Sequence, residues 1–372
     1  MALASGSPYY MAPANAKKMA ADLCALPVWY AENKGHVLVA DADQIGWMNN
    51  ECPFSLDVRF LLSIPSDCDK VVPWGWSPVV LRCLKQAGVD ESVLPLEKQM
   101  DQIRSLSSRR TAVDLLPSLR FPGTLGNSEW LVSVEEIAVF VKKHGSILLK
   151  APWSGSGKGI QPLQAEPDKP MSGWIKRVIT MQGGVVAEPF YAKCVDFALE
   201  FHVEENNLSF VGYSMFDTDS RGIYKGNFLQ SNQAIEAYLS TFVSLELLTE
   251  IREVLLHELS SLLLGVYEGY LGVDMMICRI GENEYALHPC VEINLRVNMG
   301  VVSRLFYDRY MYPEVVGNYV VEYYPKRGEA LLFHERMKSE HPLELVGGRL
   351  FRGYLSLTPV FEDTQYQVFV VV

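Results

Sequence analysis

A short apolar run, SILLKA (residues 146–151), empties into the loop PWSGSGKG (152–159). This junction constrains the fold more than any other stretch. Four to six apolar residues bounded by glycine read as a buried strand, and a strand that ends in lysine and opens into a glycine-rich loop must lie at a sheet end. Gly155, Gly157 and Gly159 let successive backbone N–H groups turn toward one point, and Lys150 and Lys158 add positive charge, a combination suited to phosphate oxygens. The loop is not a Walker A motif, which would need glycine at Pro152 and Ser or Thr at Gly159. It is not a dinucleotide GxGxxG turn either, because Ile160 stands at the last glycine position. A plain Ser/Gly connection is the competing explanation at this stage.

The surrounding chain alternates helix and strand signals. Ser133 with Glu136 forms a capping box that opens a helix through Ile137, Phe140 and Val141, ended by Gly145. A second helix is expected near Trp174 to Met181, ending at Gly183-Gly184, followed by the strand VVAEPF (185–190). The stretch 197–216 alternates apolar and polar residues and predicts an antiparallel hairpin turning at Asn206-Asn207. Leucine and isoleucine at 248, 251, 255, 259 and 262 mark a long amphipathic helix over 244–264. GYLGVDMMICRI and EYALHPCVEINL then flank a turn at 281–283 and predict a second hairpin.

In the first hundred residues, HVLVADAD (36–43), RFLLSIP (59–65) and KVVPWGWSP (70–78) read as three buried parallel strands, with a helix from Pro78 to Ala87 stopped by Gly88. Pro73-Trp74-Gly75-Trp76 falls at a strand end, where it is expected to pack between domains or to wall a small-molecule pocket. At roughly 150 residues per domain the 372-residue chain is expected to hold two to three domains. The segments 331–372 carry short β-like runs without an assignable role.

The second chemical feature is Asp274 with Glu292, Asn294 and Arg296. Extended residues two apart share a sheet face, so Glu292, Asn294 and Arg296 would line one surface with Asp274 facing them from the neighbouring strand. Two carboxylates and an amide oxygen are hard ligands that suit Mg²⁺, and the arginine suits anionic oxygens. A structural ion-pair network is the competing explanation.

The net charge of −11 argues against a polyanionic partner such as nucleic acid. No signal-peptide pattern and no apolar run of about 18 residues is present, so a membrane is not an expected partner. Seven scattered cysteines without a CxxC pair suit a reducing cytoplasm. His202, His257 and His288 lack metal-ligand spacing, and all seven histidines are expected to be structural or exposed.

Taken together, SSRRTAVDLL, ILLKAPWSGSGKGI, VVAEPF followed by Asp196, GYLGVDMMI and CVEINLRVNMG resemble, in that order over roughly 105–325, the ATP-grasp superfamily and its carboxylate-amine ligase branch. The resemblance implies an α/β and α+β architecture in which two α+β subdomains clasp a nucleotide behind a small Rossmann-like N-terminal domain. Its boundaries would be 1–104 for the N-terminal domain, 105–187 for the first grasp subdomain with its lid loop, 188–330 for the second with the metal site, and 331–372 for a β-rich extension.

It also implies roles. Lys150 would contact nucleotide phosphates, and Ser154, Gly155, Ser156, Gly157 and Lys158 would belong to the loop closing over them. Glu188 would sit beside adenine with the backbone of Pro189 and Phe190, although the Phe190 ring by itself reads as a core aromatic. Asp196 would meet the ribose, where relatives usually carry glutamate. Asp274, Glu292 and Asn294 would hold magnesium, and Arg296 matches the arginine of an Asn-x-Arg pattern whose common middle proline is Leu295 here. Arg109 or Arg110 would touch phosphate, with the register between them open, and Lys225 would face the γ-phosphate or the acceptor. The implied activity is an ATP- and Mg²⁺-dependent ligase (Mn²⁺ as a substitute ion) joining a carboxylate and an amine through an acyl phosphate. A kinase acting on a small-molecule hydroxyl and a nucleotide-binding module without turnover are the rivals. A homodimer is compatible with this reading.

Overall fold

The computed structural model of the chain describes residues 2–32, 34–65, 67–154, 159–218 and 224–372. Its centre is an eight-stranded sheet in which every neighbouring pair is antiparallel. The order is Glu284–Asn294, Gly269–Gly281, Ala192–Glu204, Asn207–Thr218, Tyr224–Leu229, Gly317–Tyr323, Tyr366–Val371 and Tyr354–Ser356. Both expected hairpins form. The first turns at Glu205-Asn206, one residue before the expected position, with both residues at positive φ as a two-residue hairpin turn requires. The second turns at Glu282-Asn283, and Asn283 also has positive φ.

Alternation divides this sheet into two unlike faces. Phe197, Leu199, Phe201, Leu271, Val273 and Met275 are buried on one face against the helix Leu245–Leu263, whose N-cap is Ser244. The residues between them, Asp196, Glu200, Gly272 and Asp274, occupy the other face. A leucine-packed surface and a polar surface are therefore the two sides of the same strands.

A four-stranded antiparallel sheet, in the order Glu129–Leu131, Val185–Pro189, Ile147–Lys150 and Ile160–Leu163, faces this polar surface. Its core comes from the helices Val134–His144 and Lys169–Gln182. The first is capped by Ser133, which accepts from the Glu136 N–H at 3.1 Å, and ends at Gly145 with φ 75°. The second starts at Lys169, earlier than expected, because Asp168 caps it, and stops at the left-handed Gly183.

The N-terminal layer is smaller than the sequence suggested. Among its described residues only His36–Leu38 and Arg59–Leu61 form strands, paired in parallel, so a Rossmann-like sheet is not confirmed. Residues 70–77 form no strand. Pro73 lacks an N–H for a ladder, and the Trp74 carbonyl instead accepts from the Val297 N–H at 2.9 Å. The helix Pro78–Gln86 forms as expected behind its Ser77 cap. Near the C-terminus the helix Glu329–Glu340 appears where only β-like runs had been read, and Tyr366–Val371 extends the large sheet by pairing with Gly317–Tyr323. No helix among the described residues is long and apolar enough to cross a membrane.

Candidate functional site

The two sheets meet through side chains whose partners lie far apart in the chain. At the end of Ile147–Lys150, the Lys150 ammonium lies 2.5 Å from Glu188 on the adjacent strand, and both side chains are almost fully buried. The second Glu188 oxygen accepts from the Ser128 hydroxyl at 3.3 Å and lies 3.9 Å from His288 Nε2 on the large sheet. His288 is completely buried, and among the described residues neither ring nitrogen has a hydrogen-bond partner. Burial pushes its pKa down to about 4, so the ring is neutral near pH 7.

Arg109, also buried, makes the second bridge. Its guanidinium donates to the Ala151 carbonyl at 2.7 Å, to Ser154 Oγ at 2.5 Å and to Glu292 Oε2 at 2.7 Å. It joins the entry of the glycine loop to the polar face of the large sheet. Arg110 turns outward, 3.6 Å from Asp114 and over the Trp130 ring. Of the two arginines, Arg109 is the one in contact with Ser154 and Glu292.

On that polar face Asp274 and Glu292 are directly opposed across neighbouring strands, and Asn294 Nδ2 donates to Asp274 Oδ2 at 3.0 Å. Burial raises the Asp274 pKa well above the ordinary carboxylate range, reinforced by Glu292 and by Glu200. Such repulsion between like charges is what a divalent cation relieves. Two carboxylates and an amide fit Mg²⁺, which draws its other oxygens from substrate phosphate and water. Among the described residues no group of three or more His, Cys, Asp or Glu is placed to hold an ion by itself.

Arg296 departs from the expected arrangement. The strand ends at Asn294, and Arg296 lies in a bend closed by its own N–H on the Asn294 carbonyl at 2.8 Å. Its guanidinium folds back to Asn294 Oδ1 at 2.9 Å and to the Val297 carbonyl at 3.0 Å. It therefore supports the Asn294 amide from behind rather than standing in a row with Glu292.

Sequence reading missed Glu200. It is buried on the polar face with one oxygen accepting from Ser214 Oγ at 2.7 Å and the other from Asn298 Nδ2 at 2.9 Å. Gly272 and Gly300 make room for it, since a Cβ on either would lie within 2.5 Å of its carboxylate. Burial lifts its pKa to about 7. The polar residues at alternate positions 196, 200 and 202 of an otherwise apolar strand were the available signal. His288 was likewise missed as a cleft residue because spacing rules look for metals.

The remaining candidates are dispersed. Asp196 pairs with Lys193 and accepts from Thr218 Oγ1 at 3.2 Å. Pro189 ends its strand, and Phe190 donates its N–H to the Ser146 carbonyl at 2.8 Å with a ring 58% exposed, so it is not the core aromatic expected. Lys225 sits at a bulge, exposed, 3.8 Å from Asp217, and among the described residues it pairs with none of Glu188, Asp274, Glu292 and Asn294. Gly155, Ser156, Gly157 and Lys158 lie outside the described residues, while Ser154 and Gly159 flank them, with Gly159 O accepting from Ala151 N–H at 2.8 Å.

No protein-family model matches the sequence, and no curated protein matches it. Among solved structures, the chain is similar to a biotin carboxylase from Campylobacter jejuni in complex with beta-gamma-ATP. The TM-score is 0.55 and the identity 12%, covering 94% of this chain and 84% of that one. It is also similar to the ADP complex of purK, an N5-carboxyaminoimidazole ribonucleotide synthetase, with TM-score 0.51, 13% identity, and 95% and 89% covered. Two antiparallel sheets joined by the Arg109–Glu292 and Glu188–His288 contacts, a lysine-tipped strand on one and an acidic polar face on the other, together with this similarity over nearly the whole length, establish that the chain has the ATP-grasp fold.

Proposed function

We propose that the protein is an ATP- and Mg²⁺-dependent ligase that joins a small-molecule carboxylate to an amine. The observation that carries the reading is the double bridge across the cleft, Lys150–Glu188–His288 and Ser154–Arg109–Glu292. It links the strand that ends in Lys150 to the strand that carries Glu292, which supports a charge layout suited to a triphosphate with its metal. The solved relatives in complex with nucleotide support ATP as the cosubstrate.

In this reading residues 105–187 and 188–330 are the two halves of the clasp behind an N-terminal domain over 1–104, with 331–372 as an extension of the second half. Lys150 and Arg109 neutralise phosphate charge, and Ser154 with the loop residues 155–158 covers it. Glu188, Pro189 and Phe190 border the base, and Asp196 takes the ribose hydroxyls. Asp274, Glu292 and Asn294 would hold Mg²⁺, which supplies charge neutralisation between β- and γ-phosphate when bound. Arg109 exchanges its contact with Glu292 for phosphate oxygens when nucleotide enters.

The chemistry is two displacements. A carboxylate oxygen of the substrate bonds to the γ-phosphorus while the bond to the ADP oxygen breaks. The amine nitrogen then bonds to the acyl carbon, the acyl C–O bond to phosphate breaks, and the nitrogen gives up a proton. The protein contributes in-line positioning and a closed, dry cleft rather than a covalent nucleophile, and closure protects the acyl phosphate from water. Arg296, held against Asn294, and Lys225 at the outer rim are assigned to the acceptor side. A screen of paired carboxylates and amines that follows ADP release tests the reading. A pair-dependent ADP burst and an amide product are expected, and ADP-free binding of ATP across a broad set would refute it.

A further inference from the structure

A cavity lies away from Lys150 and Glu292, at the ends of two strands of the large sheet. It is a hollow of about 1490 Å³, open to solvent, between the N-terminal layer and the strand ends near residues 202–206 and 265–270. Tyr270 and His202 are paired across neighbouring strands on the Asp274 and Glu200 side and stack at 4.0 Å. Tyr270 precedes Asp274 by four strand residues, so its Cα lies roughly 13 Å from that of Asp274. Trp74 and Trp76, from the N-terminal layer, also form part of its wall. That wall is locked to the site, because Trp74 O accepts from Val297 N–H and a Cβ on Gly75 would lie 3.0 Å from Arg296 Cβ.

Two properties of the lining point to one ligand chemistry. The first is aromatic. Tyr30 meets Trp74 and Tyr270 edge-on at 6.3 and 6.2 Å, and its buried hydroxyl has no hydrogen-bond partner. The second is electrostatic, since the lining residues include five carboxylates and two lysines. Lys70 is committed to Glu32 at 3.0 Å and Glu204 at 3.1 Å. Among the described residues Asp67, Asp69, Glu205 and Glu268 enter no ion pair. Ring faces and surplus carboxylates attract ammonium groups and repel anions.

We propose that this cavity binds the amine substrate, and that the substrate is an elongated aliphatic compound with more than one ammonium group. One end is held against the Trp74 and Trp76 rings near the carboxylates at the mouth, and the reacting nitrogen reaches the nucleotide site past the Arg296 bend. The inference rests on the ligase reading and adds the class of nucleophile. It assigns the carboxylate substrate to the nucleotide cleft, because the cavity repels it.

The test uses the full chain without nucleotide, with spermidine as the cationic probe and glutarate as an anionic probe, followed by tryptophan fluorescence and calorimetry at low salt. Saturable spermidine binding is expected, weakened roughly tenfold by Trp76→Leu and also weakened by Glu268→Gln, a surface change that leaves folding intact. Glutarate binding equal to or tighter than spermidine, or spermidine binding unchanged in both variants, overturns the proposal. ATP binding by the wild-type chain is measured separately. Intact ATP binding without spermidine binding overturns the cavity assignment alone, whereas absence of ATP binding overturns the ligase reading beneath it.

Discussion

The Lys150–Glu188 pair separates a structural from a functional role in a single cycle of variants. Both side chains are about 95% or more buried, and their charged atoms are 2.5 Å apart. Lys150→Met leaves the Glu188 carboxylate facing the neutral His288 ring, with Ser128 as its remaining donor. Removing one partner of a buried pair costs about 3–5 kcal/mol, because the other charge stays desolvated. Glu188→Gln strands the ammonium and is expected to cost a similar amount. The double variant removes both charges and keeps the contact to Ser128, so its stability should return to within about 1 kcal/mol of wild type, since replacing both partners is often nearly neutral. Nucleotide affinity should not return with it. Losing a charge-assisted bond to phosphate is worth about 1.5–3 kcal/mol, or roughly ten- to a hundredfold in Kd. Urea unfolding followed by tryptophan fluorescence gives the stabilities, and calorimetric titration with nucleotide and Mg²⁺ gives the affinities. Wild-type nucleotide affinity in the double variant would show that the pair only braces the sheet.

Glu292→Gln is expected to abolish Mg²⁺-dependent ADP formation while costing about 1.5–3 kcal/mol of stability, because Arg109 is buried but keeps its contacts to the Ala151 carbonyl and Ser154. Undiminished turnover in a steady-state ADP assay would remove Glu292 from the metal set. Glu200, lifted from an ordinary 4.5 to about 7, binds its proton more tightly in the folded state. The stability it contributes is full below pH 4.5 and is lost as pH rises through 7, on the order of 3 kcal/mol. Glu200→Gln should remove that decline, so its stability relative to wild type should rise between pH 5 and pH 8 in parallel urea titrations. Equal slopes for the two proteins would contradict the burial argument.

Much of the architecture was readable because it rests on local rules. Ser133, Gly145 and Gly183 fixed helix ends through cap hydrogen bonds and left-handed φ, and alternation along 197–216 and 269–294 dictated both hairpins. The same alternation placed Asp274 opposite Glu292 and put both on the face away from the leucine helix. Periodicity failed where the backbone stopped being regular. Arg296 left the row once the strand ended at Asn294, and residues 70–77 gave their carbonyl at Trp74 to Val297 instead of to a parallel neighbour.

What the sequence by itself determined is the set of groups available: a lysine at a strand end, glycines after it, and carboxylates on one face of a hairpin. Each follows from spacing over a few residues, where backbone geometry alone decides which side chains share a surface. Only the tertiary structure decided which of them meet. Arg109 reaches Glu292 across 183 residues of chain, His288 arrives beside Glu188, and Glu200 finds its place because two distant glycines leave space for it. No local pattern records such convergence, because it depends on how one sheet lies over the other.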